Sequence, residues 1–351
     1  MLHTPVVFII YNRPDKTRQS FEPIRAAQPE VLFIIADGPK DEQDAFLVAE
    51  TRQIVEHIDW KCKVTYIYSN VNLTCGYRIS SGLDEVFRKC EKAIIIEDDI
   101  VVTPAFFTFC SSMLLRYEND PKVMAISGWN NLVEYKSAMY DAIKSKSLSI
   151  WGWATWRRAW NHYAFDPSWS VEEFNDRLRS YFSNPFWIKL YLHIYKHKLW
   201  HRYKTWDFQW TIAIYGNHGR VITSSVNLCR NIGFDQEGAH LTSFNLRALF
   251  PSFDIEIKEN RVLDDEDEAT KFDHQSLIFG IFSLYKDIRK LYLFYRNPQL
   301  IPKHQSQTGW DCTLQPFREP ELCIEILIHL ETFIAHPELT KYKNVFQRLI
   351  Q

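Results

Sequence analysis

Short runs of hydrophobic residues alternate with amphipathic stretches along the first 130 residues of the chain. The hydrophobic runs are continuous and end at polar or turn residues, which is typical of strands covered on both faces of a parallel sheet. We therefore predict five buried strands in this part of the chain. They occupy residues 6–10, 31–36, 64–68, 93–96 and 123–127.

Apolar residues at helical spacing fill the intervals between these runs. They predict helices over about 15–26 and 41–58, and a third helix around residues 83–87. Thr103 and Pro104 predict the start of a fourth helix, with the threonine as N-cap and the proline at the first helical position. Because strands and helices alternate, we expect an α/β fold with a largely parallel sheet flanked by helices.

The pattern changes after residue 150. Nine of the twelve tryptophans lie between Trp151 and Trp210, and we expect most of them in the core. From residue 251 the composition becomes polar, and the acidic run at 264–268 is interpreted as a solvated linker.

Two stretches with helical spacing close the chain, at about 276–295 and 319–351. We therefore predict one large domain over residues 1–270 and a helical C-terminal extension over residues 271–351. The basic and aromatic stretch at 286–296 could lie on a membrane surface or pack against the large domain as a helix. We favour packing, because a helix docked on the domain explains the same pattern.

Composition and charge narrow the classes of partner and location. The formal net charge of −2 provides no basic field, so we expect no nucleic-acid partner. The first residues lack the basic region and cleavage site of a signal peptide, and no apolar run approaches the ~20 residues that cross a bilayer. The seven scattered cysteines contain no CxxC pair, which indicates reduced thiols. We expect a cytoplasmic protein, either free or peripheral at the inner face of the membrane.

An acidic triplet, Glu97, Asp98 and Asp99, follows the fourth hydrophobic run directly. Adjacent carboxylates at the end of a buried strand are costly unless a cation lies among them. Mg²⁺ and Mn²⁺ prefer oxygen ligands and complete their shell with substrate phosphates. Asp37 ends the second run, and ligands of such sheets bind beyond the carboxyl ends of the strands. The pattern predicts a metal-assisted nucleotide site, with a solvated turn of incidental acids as the alternative.

Several short motifs occur in one order between about residues 5 and 245. Each is weak alone, and the ordered set is specific. They are FIIYNRP, IIADGP, CGYRISSGLDEVF, EDDIVVTPAFF, SGWN, WGWATW and TWDFQW. In these motifs the chain resembles the N-acetylglucosaminyltransferase I group of GT-A glycosyltransferases and its bacterial relatives. The resemblance implies a Rossmann-like GT-A fold with a mixed, mainly parallel sheet. It also implies a donor half over about 1–130 and an acceptor half over about 131–250.

The resemblance implies roles for the residues that match the motifs of the group. Asp99 would ligate Mn²⁺ or Mg²⁺, Asp37 would contact the base of the nucleotide, and Asp98 would face the ribose or the donor sugar. Arg78 stands where the group has a histidine, so its role near the nucleotide is a departure from the pattern. The candidate donor-binding residues are Tyr11, Arg13, Asp37, Arg78, Glu97 and Asp98.

Asp207 matches the catalytic base of the group, with Asp235 and Glu237 as alternatives. His240 is a candidate metal or diphosphate ligand, and a surface histidine is an equal interpretation. Aromatic side chains stack on sugar rings, and the SGWN and WGW motifs match active-site segments of the group. The candidate sugar-binding residues are Trp129, Asn130, Trp151 and Trp153.

These roles predict an inverting glycosyltransferase. Its donor would be a nucleotide-diphosphate sugar, such as UDP-GlcNAc, and its acceptor a glycan, glycolipid or glycoprotein hydroxyl. One alternative is a sugar nucleotidyltransferase. Such enzymes usually carry a glycine-rich, basic loop after the first strand, and the segment YNRPDK contains no glycine. The other alternative is a protein of the same fold that binds the sugar nucleotide without catalysing transfer.

Overall fold

The computed structural model describes residues 1–233, 252–257 and 261–284 of the 351-residue chain. The described strands are β1 (Val6–Ile10), β2 (Val31–Ala36), β3 (Lys63–Tyr68), β4 (Lys92–Glu97), β5 (Ile100–Val102), β6 (Val123–Ser127), β7 (Ala142–Ser145), β8 (Trp153–Trp156), β9 (Arg220–Ser224), β10 (Cys229–Asn231) and β11 (Val262–Leu263). The described helices are α1 (Pro14–Ala27), α2 (Glu42–Ile54), α3 (Thr74–Lys89), α4 (Pro104–Arg116), α5 (Arg157–Trp160), α6 (Val171–Tyr181), α7 (Pro185–Lys196), α8 (Leu199–Tyr203), α9 (Asp207–Gly216) and α10 (Glu266–Leu284).

Nine of the described strands form one sheet in the order β11-β7-β9-β6-β8-β4-β1-β2-β3. Strands β3, β2, β1 and β4 are parallel neighbours, while β8 pairs antiparallel with both β4 and β6. The short strands β5 and β10 form a separate antiparallel ribbon. This topology confirms the predicted α/β class with a mixed, mainly parallel sheet flanked by helices.

All five predicted strands are present, each within one residue of its predicted bounds or matching them. The second helix ends at Ile54, four residues before the predicted end, because a tightened turn follows: the Val55 N–H bonds the Arg52 carbonyl. Thr103 does precede α4, but its side chain does not cap the helix. Its Oγ1 donates instead to the Leu228 carbonyl at 3.0 Å.

The acidic run at 264–268 is not a linker, and this prediction was wrong. Its last three residues form the first turn of α10, where carboxylates interact favourably with the helix dipole. The Asp265 Oδ1 accepts a hydrogen bond from the Glu268 N–H at 3.0 Å and so satisfies a free donor of that turn. Helix α10 spans the predicted domain boundary at residue 270, and residues 285–351 lie outside the described part, so the division into domains stays a prediction.

A cluster of buried tryptophans joins the antiparallel strand β8 to helix α9. Trp153 stacks on Trp206 with ring centroids 5.3 Å apart. Trp160 contacts both of these rings, and Trp210 contacts Trp153 and Trp160. All four are at most 3% exposed. The cluster therefore fixes the start of α9 against the sheet, and it confirms that tryptophans of this region serve mainly as core. No helix of the described residues is long and apolar enough to span a bilayer.

Candidate functional site

The loops that follow β1, β2 and β4 meet at one edge of the sheet. The three strands are parallel, and their register aligns Ile10 with Ala36 and Ile9 with Glu97. The residues that come next along the chain therefore converge, as expected for the carboxyl ends of parallel strands. They border a cleft of about 720 Å³. Its lining includes Tyr11, Asn12, Arg13, Asp37, Lys40, Asn72, Thr74, Cys75, Arg78, Glu97, Asp98, Tyr203 and Lys204.

Arg13 connects two members of the acidic triplet. Its guanidinium bonds the Asp98 carboxylate, and its Nη1 lies 3.1 Å from the Asp99 Oδ2. The Asp98 side chain is only 4% exposed, whereas that of Asp99 is 17% exposed. Burial raises the pKa of Asp98, and the charge of Arg13 opposes that effect. Asp98 thus acts as the buried partner of Arg13, and Asp99 keeps access to the solvent.

Glu97 has a buried carboxyl oxygen, Oε1, that lacks a hydrogen-bond partner within the described residues. Burial, followed by the charges of Asp99 and Asp98, raises the pKa of Glu97 well above its ordinary value. Arg13 is the one described cation paired with the triplet, so the triplet itself keeps an excess of negative charge even when Glu97 is protonated. A bound cation would relieve it.

The described backbone at Gly233 lies directly over Asp99. A Cβ at this glycine would stand 2.4 Å from the Asp99 Oδ2, so any larger residue would displace the carboxylate or the backbone. The Ile232 N–H bonds the Asp99 carbonyl at 2.8 Å, and the Asn231 Oδ1 accepts from the Gly233 N–H at 2.6 Å. These contacts join β10 to the acidic triplet and hold the Asp99 carboxylate at the rim of the site.

The carboxylate oxygens at Asp99 suit a divalent cation whose coordination shell is completed by a bound ligand. No group of three or more His, Cys, Asp or Glu residues that could hold a metal occurs in the described part of the chain. Mg²⁺ and Mn²⁺ are commonly held by one or two carboxylates, with water and substrate phosphates completing the shell. A part-exposed Asp99 beside the unpartnered carboxyl oxygen of Glu97 fits that mode of binding, and it does not fit a closed structural metal site.

Asp37 and Arg78 place opposite charges in the cleft. The Asp37 Oδ1 accepts from the backbone N–H groups of Gly38 and Leu73, both at 2.9 Å. Arg78, on α3, is 6% exposed and forms no ion pair within the described residues; its Nε is buried without a hydrogen-bond partner there. Burial lowers the pKa of Arg78, and Asp37 opposes this effect. A buried arginine that faces a cleft without a carboxylate partner is a candidate anion-binding group.

Tyr11 belongs to a polar network that the sequence did not predict. Its hydroxyl donates to Asp44, whose carboxylate also accepts from the Asn12 side chain at 2.5 Å and from the Lys40 N–H at 2.8 Å. Asn72 in turn donates to the Tyr11 hydroxyl at 3.0 Å. The network fixes the loops after β1 and β2 around the cleft. Burial and then Asp44 raise the pKa of Tyr11, so the phenol stays protonated.

Asp207 lies at the first position of α9, beside the same cleft. The charges of Glu97 and Asp207, added to burial, raise the pKa of the cleft residue Cys75 to about 12, which brings the three groups into one electrostatic neighbourhood. Burial raises the pKa of Asp207 itself, and a hydrogen bond from the Thr205 hydroxyl lowers it. A partly buried carboxylate with raised proton affinity is suited to accept a proton.

Gly76 explains how α9 and α3 come so close. The Gly76 N–H bonds the Lys204 carbonyl at 2.9 Å. A Cβ at this position would lie 2.8 Å from the Thr205 carbonyl oxygen. The helix that carries Arg78 therefore docks directly on the segment before Asp207. This close approach gives the glycine of the CGYR motif a structural reason.

The candidate sugar-binding residues lie in less exposed positions. Trp153 is fully buried in the tryptophan cluster, and Trp129 is 1% exposed and donates its indole N–H to Asn131. Asn130 is fully buried, and its side chain donates to the carbonyls of Ser224 and Ser225. Trp151 is partly exposed and packs edge-on against Trp129 at 4.6 Å. Trp151 is the one of the four residues that is not buried, and the sugar-binding roles stay predictions.

Several candidates lie outside the described residues. These are His240, the alternative bases Asp235 and Glu237, and the aromatic-basic stretch at 286–296. The residues that the sequence missed are Asp44, Cys75 and Thr205. Asp44 stands in the acidic start of α2, where helix capping explains its presence. Cys75 and Thr205 are the first residues of the CGYRISSGLDEVF and TWDFQW motifs, and this is the signal that could have found them.

Comparisons with known proteins agree with the resemblance seen in the motifs. The model of the GNT-I family matches residues 2–183, which is more than half of the chain. An alpha-1,3-mannosyl-glycoprotein 2-beta-N-acetylglucosaminyltransferase from Arabidopsis thaliana is 26% identical over 188 residues. That match covers 50% of this chain and 41% of the relative, so the chain spans less than half the length of the curated relative it matches.

Among solved structures, one similar chain is a UDP-glucose pyrophosphorylase complexed with UDP-glucose. It has a TM-score of 0.30 and 10% identity, and the match covers 63% of this chain and 90% of that one. Another is the galactosyltransferase LgtC in complex with donor and acceptor sugar analogs, with a TM-score of 0.29 and 10% identity, covering 63% and 73%. At these TM-scores the likeness assigns neither a ligand nor a reaction.

Proposed function

Because this chain belongs to the GNT-I family, we propose that it is an inverting glycosyltransferase with a nucleotide-diphosphate sugar as donor. The observation that carries the proposal is the cleft at the carboxyl ends of β1, β2 and β4. It combines an acidic triplet with excess negative charge, a buried arginine without an ion pair in the described part, and a carboxylate with raised pKa at its side.

Donor binding would use both charged groups, Asp37 and Arg78, of the cleft. The Asp37 carboxylate is fixed by two backbone N–H groups through Oδ1, and no described residue bonds its Oδ2. That oxygen is available to accept a hydrogen bond from an N–H of the base, as a uracil offers. Arg78 would bind the diphosphate, because a phosphate supplies the anion that this buried guanidinium lacks. Asp98 and Glu97 would face the ribose and the donor sugar.

Asp99 would hold the divalent cation together with the diphosphate of the donor. When bound, Mn²⁺ or Mg²⁺ supplies charge neutralisation for the leaving nucleoside diphosphate. Arg13 pairs with the Asp98 carboxylate and contacts the Asp99 carboxylate, and these contacts are the contributions of the chain itself. A shared shell of this kind makes donor binding and metal binding mutually dependent.

Transfer would proceed as one displacement. The acceptor hydroxyl oxygen attacks the anomeric carbon, and its proton passes to the Asp207 carboxylate. The bond between the anomeric carbon and the phosphate oxygen breaks, and the electron pair leaves with the nucleoside diphosphate near Arg78. A single displacement inverts the configuration at the anomeric carbon. The transition state has oxocarbenium character, as in glycoside hydrolysis.

The relative named above is an N-acetylglucosaminyltransferase, and this supports UDP-GlcNAc as the first donor to test. The acceptor would be a hydroxyl of a glycan, glycolipid or glycoprotein. A panel of UDP-sugars, with UDP release as the readout, identifies the donor. We expect one UDP-sugar to give metal-dependent UDP release above the rate of the others.

UDP binding tests the proposed donor site directly. In isothermal titration, Mn²⁺ should strengthen the binding of UDP to the full chain, and Asp99→Asn should remove that gain. Arg78→Gln should weaken UDP binding by roughly ten- to a hundredfold, because a charge-assisted hydrogen bond of about 1.5–3 kcal/mol is lost. Arg88→Gln is the matched control, since Arg88 is exposed near the end of the same helix. Equal losses in the two arginine variants would contradict the assignment.

A further inference from the structure

A second cleft lies at the opposite edge of the sheet from the proposed donor site. Strands β4 and β6 run in the same direction, since both pair antiparallel with β8. The donor cleft borders the carboxyl end of β4, whereas the second cleft borders the starts of β6 and β9. It has a volume of about 650 Å³ and involves no residue of the donor cleft. We call it the basic cleft, and its lining includes Lys122, Lys144, Lys146, Arg179, Tyr181, Phe182, His218, Arg220, Asp264 and Glu266.

The basic cleft has an excess of positive charge in a chain whose net charge is −2. Five lysines and arginines line it against two carboxylates, and the buried Asp273 behind Lys146 is a third acid, so at least two cations stay uncompensated. Lys144 pairs with Asp264 at 3.1 Å, and Arg220 pairs with Glu266 at 3.2 Å. Both acidic side chains are largely exposed, at 62% and 70%, so these pairs hold their cations weakly.

Two of the cations are built into the wall of the cleft. The Lys146 side chain is 14% exposed, and its Nζ donates to the Tyr181 carbonyl at 2.9 Å. The Arg220 guanidinium lies over the ring of Tyr181, 5.3 Å from its centroid, and the Lys146 ammonium lies 4.9 Å from the same centroid. Burial and then the charge of Arg220 lower the pKa of Lys146. Glu266 already pairs with both cations, at 3.8 Å from Lys146 and 3.2 Å from Arg220, but its side chain is 70% exposed. A phosphate that binds beside this weakly held carboxylate would relieve the remaining repulsion between the two cations.

Two further cations stand at the rim of the basic cleft. Lys122 directly precedes β6, and Arg179 lies in the last turn of α6. Both are exposed, and neither forms an ion pair within the described residues. Exposed cations without carboxylate partners around a concave surface that already holds excess charge are suited to bind an anion from solution.

We propose that the basic cleft binds a phosphate or diphosphate group. Lys146 and Arg220 would contact its oxygens from the wall, and Lys122 and Arg179 would close over it from the rim. A guanidinium matches two phosphate oxygens at once, and an ammonium adds a compact charge. A cleft of about 650 Å³ is too small for a nucleic-acid strand, which needs an extended basic surface. This site is separate from the proposed donor site and does not depend on it.

The test is an isothermal titration of the full chain with inorganic pyrophosphate in metal-free buffer. We expect saturable binding that weakens as NaCl is raised. Lys122→Gln combined with Arg179→Gln should weaken it by about tenfold or more. Arg88→Gln combined with Lys89→Gln removes the same charge from an exposed helix end elsewhere and should leave binding unchanged.

The donor cleft could also attract pyrophosphate, so the titration is repeated with Arg78→Gln. Binding that survives Arg78→Gln and is lost in the Lys122 and Arg179 double variant supports the proposal. The opposite pattern, equal losses in the two double variants, or no saturable binding would each overturn it. Unchanged thermal unfolding of the double variants shows that they fold.

A vesicle arm distinguishes the two sources of a phosphate group. Sedimentation with vesicles of phosphatidylcholine containing about 30 mol% phosphatidylglycerol reports a lipid headgroup. Co-sedimentation that the Lys122 and Arg179 double variant loses, and the control pair keeps, supports the cleft as a headgroup site. Pyrophosphate binding without co-sedimentation supports a soluble phosphate ligand.

Discussion

The carboxylate of Asp207 has two opposing influences on its proton affinity. Burial raises its pKa above the ordinary value of 3.8, and the hydrogen bond from the Thr205 hydroxyl lowers it. A base works only when it is deprotonated, so activity should be present above this pKa and should be lost as the pH falls through it. The acidic limb of kcat/KM should therefore lie above pH 3.8.

Thr205→Val should move that acidic limb to higher pH, because it removes the hydrogen bond that favours the ionised carboxylate. The pH profile of UDP release measures the shift. Thr211→Val is the matched control: the Thr211 hydroxyl donates to the Asp207 backbone carbonyl at 3.0 Å and not to the carboxylate. If both variants show the same acidic limb of the pH profile as the unaltered chain, Asp207 is not the base.

Local sequence identified part of the site and missed the rest for a physical reason. Arg13, Asp37 and the acidic triplet follow buried strands directly, so their position at the sheet edge could be predicted from the strand pattern. Asp44 acts through a contact with Tyr11, which is 33 positions away, so its own neighbours give no sign of it. Thr205 contacts Asp207 only two positions away, but the sequence does not show where its hydroxyl points. Asp44 also looks like an ordinary acidic residue of a first helical turn, since its N–H donates to the Asp41 side chain that caps α2.

Among the elements, the buried parallel strands were predictable and the antiparallel strand β8 was not. Continuous apolar runs between turn residues identify the former. Strand β8 inserts between β4 and β6 through pairings with residues about 30 and 60 positions away, which no local pattern contains. The start of α9 could not be predicted either. A helix that is buried among tryptophans has no polar face, so its sequence shows no amphipathic pattern of helical spacing.

Substitutions at two glycines of α3 test the positioning of the site separately from the stability of the fold. Gly76→Ala would place a Cβ against the Thr205 carbonyl oxygen and push the start of α3 away from the segment before Asp207. We expect kcat/KM to fall by roughly tenfold or more, because a displacement of about 1 Å can cost that much. UDP release by the folded variant measures the loss.

Gly82→Ala is the matched variant on the same helix. Its Cβ would meet the Ile35 side chain at 2.7 Å, in the core and away from Asp207. Overpacking should reduce the free energy of unfolding by about 1–3 kcal/mol, with activity per folded molecule retained. Denaturant unfolding measures the change. A Gly76→Ala chain with normal activity would refute the positioning role of the contact between α3 and the Lys204–Thr205 backbone.

At the scale of the whole molecule, Asp273 links stability to pH. Burial raises its pKa to about 7, although the N–H groups of Lys146 and Ser147 donate to its carboxylate. Between the ordinary pKa of 3.8 and about 7, the folded chain binds a proton that the unfolded chain does not. The stability from this proton is complete below 3.8 and is lost as the pH rises through about 7.

Asp273→Asn should remove that dependence, because an amide oxygen can accept the same two bonds without ionising. Other buried carboxyls contribute to the profile, so the difference between variant and unaltered chain is the informative quantity. We expect the variant to gain stability relative to the unaltered chain between pH 5 and 8, by up to a few kcal/mol. Thermal unfolding across that range measures it, and parallel profiles would contradict the buried charge.

We propose that the cleft of this GNT-I family member catalyses sugar transfer with Asp207 as the base. The most direct test compares UDP release and UDP binding in the unaltered chain and Asp207→Asn, with Mn²⁺ and the preferred UDP-sugar. We predict that the variant binds UDP with unchanged affinity and turns over about 100- to 10,000-fold more slowly, the usual contribution of a general base. Full turnover by Asp207→Asn would contradict the account.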